Sequence, residues 1–409
     1  MNIRIQNSKI THNNSSITIT GSKSESNRLL ILQALYPEID IANLSNADDT
    51  KLMKSALKSI EEIIDIHHAG TAMRFLTAYF SNLKNREVIL TGSERMQKRP
   101  IKILVDALRS LDADIQYLNK EGFPPIKIKG NHLLKSKVTI DANVSSQYIS
   151  ALLLMAPKLE NGLTIVLDGE ITSVPYIQMT LELLNSIGVN TSFDGNIIEV
   201  QSKTSIDHLD LVVESDWSSA SYFYSLIAAS EIGTKITLSS YKKNSLQGDA
   251  ALTELFETFG VKTTFHNNSI EIKKEKSCSI KSFDCQLNNT PDLAQTIAVT
   301  CLLLNVDCYL TGLHTLKIKE TDRLQALKNE LEKFGASVTI SKDELKLKSL
   351  IEFNDNVQVD TYNDHRMAMA FAPLALKTTF QMNNAEVVSK SYPDFWRDFQ
   401  QLGIKISEL

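Results

Sequence analysis

Two kinds of apolar pattern alternate along the chain. In the first kind, small and apolar residues follow one another almost without interruption, which is typical of a helix that is buried on all sides. We predict such helices at 24–35, 70–81, 145–157, 217–230, 292–304 and 364–376. In the second kind, apolar residues recur at spacings of three and four, as in Leu324, Leu327 and Leu331, which predicts a helix with one buried face. We predict these amphipathic helices at 48–60, 100–111, 175–187, 247–259, 321–334 and 393–402.

Short segments in which polar and apolar residues alternate follow most of the amphipathic helices and predict β-strands. Residues 338–340 and 345–347 are one such pair, and the polar residues 341–344 between them predict a hairpin turn. Several amphipathic helices are also followed by a glycine, which can end a helix in the left-handed conformation without a steric penalty. These glycines are Gly188, Gly260, Gly335 and Gly403.

The helices and strands together predict a unit of order β-α-β-α-β-β that occurs six times. Most copies are spaced by about 72–76 residues, but the first two buried helices begin at 24 and 70. Residues 61–67 leave no room for a hairpin, so we predict that the first copy is shortened. The prediction is therefore an α/β fold with two domains of three units each. One domain is predicted at 20–213, and the other combines 1–19 with 214–409.

Composition and charge narrow the classes of function. The chain has 409 residues, 43% of them hydrophobic, and a formal net charge of −5, which allows two cores but provides no global basic field for nucleic acid or anionic membranes. We see no apolar run long enough to span a membrane and no apolar core of a secretion signal after Met1. The four cysteines form no C-x-x-C pair, so buried free thiols are favoured over a metal site or a disulfide. We expect a soluble cytoplasmic protein.

Charged residues gather at the starts of two helices near the C-terminus. Lys317–Arg323 and Thr361–Met367 each place acids and bases together before an apolar helix. Each segment alone is explained by a capped and solvated helix end. With Lys23, Arg99 and Lys390, however, they indicate a site for a small anion that carries several charges.

The first turns of the buried helices are polar, and the free N–H groups there favour anions. Ser145–Gln147 offers three consecutive donors, which exceeds what one N-cap needs and favours ligand binding. Ser218 and Ser219 are explained as well by N-capping alone. Gly70 is compatible with a close ligand approach and equally with close packing. Glu320 and Asp292 are candidate proton carriers, although an acid at a helix start is more often an ion-pair partner.

The joint order of the motifs resembles the 5-enolpyruvylshikimate-3-phosphate synthase family, the 3-phosphoshikimate 1-carboxyvinyltransferases. The resemblance extends over nearly the whole chain. The motifs that carry it are Gly21–Ser24 with Asn27–Arg28, Ala69–Arg74, Arg95–Met96, Arg99–Pro100, Ser145–Gln147, Pro175–Ile177, Gln247–Asp249, Pro291–Asp292, Lys319–Arg323, Tyr362–Met369 and Lys390–Pro393.

The resemblance implies a two-domain inside-out α/β barrel, with three β-α-β-α-β-β units in each domain and closure of the domains on substrate. The implied reaction transfers the enolpyruvyl group of phosphoenolpyruvate to the 5-hydroxyl of shikimate 3-phosphate and releases phosphate. It proceeds by addition and elimination through a tetrahedral intermediate, with no metal and no cofactor. The implied partners are these two small substrates, with neither nucleic acid nor membrane, and we expect a monomer.

The resemblance also implies residue roles. Asp292 would accept the proton of the 5-hydroxyl, Glu320 would protonate the methylene carbon, and Lys23 would contact both substrates and assist the leaving phosphate. The implied phosphoenolpyruvate ligands are Lys23, Gly70, Arg99, Gln147, Arg323, Arg366 and Lys390. The implied shikimate 3-phosphate ligands are Lys23, Ser24, Arg28, Ser145, Ser146, Gln147, Ser173, Tyr176, Asp292, Thr315 and Lys319.

The chain departs from the family pattern at a few positions. His68 stands where the family usually has asparagine, Phe75 where it has proline, and Thr315 where a substrate-binding asparagine is common. A related transferase that acts on UDP-N-acetylglucosamine is an alternative, but it usually has Lys-Asn at Lys23–Ser24 and an early reactive cysteine, whereas this chain has no cysteine before Cys278. A repeat protein that only binds anions is the non-enzymatic alternative.

Overall fold

The structure is a computed structural model that describes residues 1–142, 145–169, 171, 174–348 and 352–409. Within these residues the chain forms two compact units. The contiguous unit is Gly21–Val213, and the split unit combines Met1–Thr20 with Glu214–Leu409. Each unit has its own cluster of buried apolar side chains. Among the described residues, no helix has both the length and the hydrophobicity that crossing a membrane requires.

The described residues contain twelve α-helices and twenty-two β-strands. The helices are α1 Lys23–Leu35, α2 Asp48–Lys58, α3 Gly70–Ser81, α4 Lys102–Ser110, α5 Ser146–Met155, α6 Val174–Ser186, α7 Trp217–Ala228, α8 Leu252–Leu255, α9 Ala294–Leu304, α10 Arg323–Lys333, α11 His365–Phe371 and α12 Phe395–Gln401. The strands are β1 Ile3–Ile5, β2 Ser16–Ile17, β3 Ile39–Ala42, β4 Ile63–Asp65, β5 Glu87–Thr91, β6 Asp114–Tyr117, β7 Ile126–Lys129, β8 Lys137–Asp141, β9 Leu163–Asp168, β10 Thr191–Asp194, β11 Ile197–Val200, β12 Leu209–Val212, β13 Lys235–Ser239, β14 Val261–His266, β15 Ser269–Lys274, β16 Ser282–Gln286, β17 Asp307–Thr311, β18 Ser337–Ile340, β19 Leu345–Lys348, β20 Gln358–Asp360, β21 Phe380–Asn383 and β22 Ile406–Glu408.

The helices predicted to be buried on all sides form the middle of each unit. In the split unit, α9 packs against both α7 and α11, and ten of its eleven residues are buried. In the contiguous unit, α3 packs on α5 and on α1. Five of the six amphipathic helices lie at the predicted places, and the four glycines named above all have positive φ. The hairpin predicted at 338–347 is present, since β18 pairs antiparallel with β19.

One predicted amphipathic helix is wrong in length. The pattern predicted a helix at 247–259, but only α8 is α-helical, preceded by a 3₁₀ turn at Gly248–Ala251. The Thr253 hydroxyl donates to the Ala250 carbonyl and so competes with the helical backbone bonds at this point. Phe256 and Phe259 are fully buried in turns rather than on a helix face.

Six sheets are formed by the described strands, and five of them share one topology. In each of the five, a parallel pair continues into two antiparallel strands. The contiguous unit has the orders β4-β5-β7-β6, β10-β11-β9-β8 and β12-β3, and the split unit has β14-β15-β13-β2, β16-β17-β19-β18 and β20-β21-β1-β22. The β12-β3 sheet has only two described strands, because β4, the first strand after α2, belongs to the next sheet.

The first twenty residues complete two sheets of the split unit. Strand β1 lies between β21 and β22, where Ile3 is opposite Met382 on one side and Glu408 on the other. Strand β2 pairs in parallel with β13. Because both partners of β1 would otherwise have an unpaired edge, the N-terminal segment is an integral part of this unit.

Candidate active site

The split unit brings together acids and bases that the sequence placed at three helix starts. Asp292 lies in the 3₁₀ turn Pro291–Leu293 that leads into α9. Arg323 is the first residue of α10, after Asp322 has capped that helix by accepting from the Gln325 N–H. Asp364 caps α11 and accepts from the Arg366 N–H at 2.9 Å. The caps therefore fix the backbone from which these charged side chains extend.

Arg323 is the centre of this cluster. Its guanidinium donates to Asp364 Oδ2 at 2.7 Å, to Asp292 Oδ1 at 2.9 Å and to Glu320 Oε2 at 2.8 Å. The Arg323 side chain is only 2% exposed, so these bonds form where water cannot screen them. A buried guanidinium that binds three carboxylates holds all of them in defined positions.

Asp292 is shared among three cations. Besides Arg323, its other oxygen accepts from Arg366 Nη2 at 2.9 Å, and Lys319 Nζ lies 3.6 Å from Oδ1. Burial by itself would raise the pKa of Asp292, but the positive charges of Arg366, Lys319 and Arg323 outweigh burial and hold that pKa below its ordinary value. Asp292 is therefore an ionised carboxylate at neutral pH.

A second buried carboxyl lies next to this group. The Ser218 hydroxyl donates to Asp249 Oδ2 and also accepts from Arg366 Nη2 at 3.3 Å. Burial, with the nearby charge of Asp292, raises the pKa of Asp249 to about 7. Two carboxyls in one cluster thus differ in protonation: Asp292 is ionised, and Asp249 retains its proton over much of the acidic range.

Glu320 and Lys390 complete the predicted residues of this unit. Of the carboxylates bound to Arg323, Glu320 has the most exposed side chain, at 24% against 14% for Asp292 and 0% for Asp364. Lys390 Nζ donates to the carbonyl and the side-chain oxygen of Asn363, the residue before Asp364.

Thr315 lies in the 3₁₀ segment His314–Ile318 that precedes this site along the chain. Its hydroxyl is buried and has no hydrogen-bond partner among the described residues. A buried hydroxyl without a partner is costly, which is compatible with a role in binding a ligand.

The contiguous unit has a smaller ion cluster. Lys23 Nζ lies 3.6 Å from Asp49 Oδ2, and His68 Nε2 lies 3.5 Å from Asp49 Oδ1. Lys23 begins α1, Asp49 is the second residue of α2, and His68 lies in the loop before α3. The two oxygens of one carboxylate are thus divided between a lysine and a histidine.

Gly70 lies against the Arg99 guanidinium. A Cβ at Gly70 would lie 2.5 Å from Arg99 Nη1, so no other residue fits there unless Arg99 moves. Arg74, one turn further along α3, donates to the Gly70 and Pro100 carbonyls at 3.0 and 3.2 Å. The backbone at Pro100, the residue after Arg99, is thereby tied to α3. Close packing with Arg99 is enough to require glycine at this position.

The segment Ser145–Gln147 opens α5. Ser145 is the N-cap, and its hydroxyl accepts from the Gln147 N–H at 3.4 Å. Gln147 Nε2 donates to Thr71 Oγ1 at 3.2 Å, which brings it next to Gly70. Ser146 is buried in the first turn of the same helix.

Arg28 is buried and makes four hydrogen bonds within its unit. It donates to Thr180 and Ser150 side chains at 2.8 and 3.0 Å, and to the carbonyls of Ser24 and Tyr176 at 2.8 and 3.3 Å. Burial lowers its pKa to about 10, so it stays charged at neutral pH. These bonds connect Arg28 to both Ser24 and Tyr176. Ser173, predicted for the same ligand, lies outside the described residues.

Asp49 and the pairing of Asp249 were missed by the sequence analysis. Asp49 looked like an ordinary acid in the first turn of a helix, and nothing near it in sequence identifies Lys23 and His68 as its partners. Gln247–Asp249 was noted as a motif, but the bond from Asp249 to Ser218 spans 31 residues. Of these two acids, only Asp249 could have been identified from the sequence, because it lies in the Gln247–Asp249 motif.

Outside these clusters, one group in the described part of the chain could hold a metal ion. Asp40, His208 and Asp210 have ligand atoms within 4.8 Å of one another, but all three are exposed. They lie at the β3–β12 strand pair. All four cysteines are free thiols, with Cys301 and Cys308 buried.

Comparisons with known proteins identify the family of the chain. The family model "EPSP synthase (3-phosphoshikimate 1-carboxyvinyltransferase)" matches residues 59–399. A 3-phosphoshikimate 1-carboxyvinyltransferase of Bacteroides fragilis strain YCH46 is 46% identical over 398 residues, which cover 96% of each chain. The protein of the same name from Colwellia psychrerythraea is 37% identical and covers 95% of this chain and 97% of its own.

Solved structures give the same result for the fold. An EPSP synthase from Acinetobacter baumannii superposes with a TM-score of 0.81 over 100% of both chains, at 21% identity. At that identity the likeness concerns the fold alone, whereas the sequence matches extend over nearly the whole chain. The chain therefore belongs to the EPSP synthase family, the 3-phosphoshikimate 1-carboxyvinyltransferases.

Proposed function

We propose that this chain transfers the enolpyruvyl group of phosphoenolpyruvate to the 5-hydroxyl of shikimate 3-phosphate, giving 5-enolpyruvylshikimate 3-phosphate and phosphate. The observation that carries the proposal is that one buried arginine, Arg323, binds both candidate proton carriers, Asp292 and Glu320. Addition and elimination needs one group that removes a proton from oxygen and another that delivers a proton to carbon. In the split unit, the Arg323 guanidinium holds the two carboxylates that could perform these two proton transfers.

In this proposal Asp292 accepts the hydroxyl proton. Surrounded by Arg366, Lys319 and Arg323, Asp292 is a weak base at rest. A phosphoenolpyruvate anion that binds Arg366 would weaken the hold of that cation on Asp292, and the pKa of Asp292 would then rise towards a more useful value. Substrate binding itself thus activates the base.

Glu320 is proposed to deliver the proton to the methylene carbon and to remove one again during elimination. Its 24% exposure is the largest among the carboxylates on Arg323, so it is the one best able to exchange protons with solvent. Its bond to Arg323 fixes one oxygen and orients the carboxyl group. Lys23 is proposed to contact both substrates and to assist departure of the phosphate.

The remaining residues are proposed as ligands on the basis of the family. Phosphoenolpyruvate would be bound by Lys23, Gly70, Arg99, Gln147, Arg323, Arg366 and Lys390. Shikimate 3-phosphate would be bound by Lys23, Ser24, Arg28, Ser145, Ser146, Gln147, Ser173, Tyr176, Asp292, Thr315 and Lys319. Several cations on one small trianion supply the charge neutralisation that its binding requires.

We propose the finer architecture on the same basis. The domains would be 20–213 and 1–19 with 214–409, each an inside-out α/β barrel of three β-α-β-α-β-β units with the first unit shortened. The shared topology of the five four-stranded sheets supports this, and so does the two-stranded β12-β3 sheet. We further propose that the enzyme acts as a cytoplasmic monomer without metal or cofactor.

The test is phosphate release by the purified protein with phosphoenolpyruvate. One reaction contains shikimate 3-phosphate, a second contains UDP-N-acetylglucosamine, and a third contains no acceptor. We expect release only in the first. Release only with the sugar nucleotide would assign the chain to the related transferase, and no release in any reaction would favour an anion-binding protein.

A further inference from the structure

Asp49 is the one acidic side chain that the described structure pairs with Lys23, and it is divided between two bases. Oδ2 faces Lys23 Nζ at 3.6 Å, and Oδ1 faces His68 Nε2 at 3.5 Å. The Asp49 side chain is only 9% exposed, against 18% for Lys23 and 32% for His68. Both separations are longer than a strong hydrogen bond, so neither base holds Asp49 rigidly.

Asp49 lies in the first turn of a helix. It is the second residue of α2, and the N-cap residue, Ala47, provides no side-chain hydrogen bond. A carboxylate at this point is stabilised by the positive end of the helix and its free N–H groups. A buried carboxylate nevertheless needs a cation, and the Lys23 ammonium lies beside this one at 3.6 Å.

In the proposed function, Lys23 binds substrate and no longer neutralises Asp49. If Lys23 turns to a substrate phosphate, Asp49 loses its counter-ion and at the same time faces a new anion. Two like charges at short range in a partly buried site repel each other strongly. An anion therefore binds well only if another group neutralises Asp49.

We propose that His68 is a positioning residue: when a substrate anion binds Lys23, His68 takes up a proton and replaces Lys23 as the counter-ion of Asp49. The inference rests on the proposed function, which gives Lys23 to the substrates. The proton comes from solvent and goes to the His68 imidazole, and no covalent bond is made or broken. As imidazolium, His68 holds Asp49 away from the anion and leaves Lys23 to the substrate.

The sign of the pH dependence follows from this exchange. The elements around the His68 loop carry the following ionisable groups: His67 in the loop itself, Lys23, Glu25 and Arg28 on α1, Asp48, Asp49, Lys51, Lys54 and Lys58 on α2, Asp65 on β4, Arg74 on α3, and Arg99 against Gly70. Protonated His68 favours the ligand, so the ligand favours protonated His68 and binding takes up protons. Affinity should therefore fall as pH rises through the titration of histidine, whose ordinary pKa is about 6.5.

The test is calorimetric titration with shikimate 3-phosphate at pH 7, in two buffers that differ in ionisation enthalpy. The difference in heat gives the number of protons taken up. The variants are His68→Asn, which can still donate to Asp49 but cannot titrate, and Asp49→Asn, which removes the charge. His132→Asn is the matched control, because His132 is an exposed histidine of the same unit that lies beside Glu160 instead.

We expect wild type and His132→Asn to take up about half a proton more than His68→Asn and Asp49→Asn. The ligand's own titration is the same in all four and cancels. Equal uptake in all four, with binding intact, would overturn the inference and leave the proposed function standing. No binding by wild type would remove the proposed function and this inference with it.

Discussion

The two ion clusters handle charge in opposite ways. In the split unit, Arg323 is 2% exposed and binds three carboxylates at 2.7–2.9 Å. In the contiguous unit, Asp49 faces Lys23 and His68 at 3.5–3.6 Å, and both bases are partly exposed. The first cluster is a framework in which one buried guanidinium is bonded to three carboxylates. The second is a loose pair of contacts that a ligand can replace.

The difference matches what each cluster is proposed to do. Proton carriers must keep their geometry throughout the reaction, and short buried bonds to a planar guanidinium maintain it. A lysine that must reach substrates loses little when it leaves a long and partly solvated contact. The proposed proton carriers are thus held rigidly, whereas the lysine proposed to bind the substrate anions makes a contact that a ligand can replace.

Removing Arg323 should have the largest effect. Arg323→Ala leaves Asp364, Asp292 and Glu320 without their shared partner, and breaking such a buried network typically costs about 3–5 kcal/mol. We expect a loss of that size in the free energy of unfolding in urea, together with loss of activity. Lys23→Ala should lose activity but clearly less stability than Arg323→Ala, because Lys23 makes one longer contact to a single carboxylate. Similar stability losses for the two variants would contradict the comparison.

The buried Asp249 should make stability depend on pH. Its pKa is about 7 in the folded protein and near 3.8 when unfolded, so between these values the folded state binds more protons. The contribution of Asp249 is therefore present at low pH and lost as pH rises to about 7. The free energy of unfolding of Asp249→Asn, minus that of wild type, should therefore rise by about 3 kcal/mol from pH 5 to pH 8.

Urea unfolding of both proteins at the two pH values measures this difference. The same change at both pH values would mean that Asp249 is ionised throughout, which would remove the distinction between Asp249 and Asp292.

Replacing Glu320 by glutamine tests its role as proton donor while keeping its hydrogen bond to Arg323. Glu320→Gln can still accept from Arg323 but cannot donate a proton as a carboxylic acid does. We expect turnover to fall by about 100-fold or more while shikimate 3-phosphate binds within about twofold of wild type. Glu332→Gln is the control, since Glu332 lies on α10 but is exposed and pairs with Lys328. Unchanged turnover in Glu320→Gln would exclude Glu320 from the mechanism.

Gly70→Ala should have the smallest of these effects. The added Cβ would displace the Arg99 guanidinium, which is the end of a flexible side chain, so the fold should tolerate it. We expect the KM for phosphoenolpyruvate to rise about tenfold. In an Arg99→Ala background the same substitution should add nothing, because its effect acts through Arg99. An additional loss in that background would show that Gly70 itself is what the ligand needs.

The sequence predicted the helices and strands better than it predicted which charged side chains pair with one another. Buried and amphipathic patterns alternate strongly enough to place all twelve segments. Two lengths were misjudged: α8 is much shorter than 247–259, and α11 ends at Phe371, after which the chain continues as a 3₁₀ segment. The site motifs were predictable because each lies at a helix start. Their pairing was not: Arg323 reaches Asp364 across 41 positions, and Asp49 was indistinguishable from a common first-turn acid. Which charges meet depends on tertiary packing, which no local pattern contains.

The central claim is that transfer proceeds by protonation of the methylene carbon followed by elimination, and deuterium incorporation tests it most directly. The reaction is run in heavy water, and the mass of the enolpyruvyl product is measured. Because addition makes a methyl group that then loses one of its three hydrogens, the account predicts deuterium in the product's methylene group. A product free of deuterium would contradict the account, since it would require transfer without protonation of carbon.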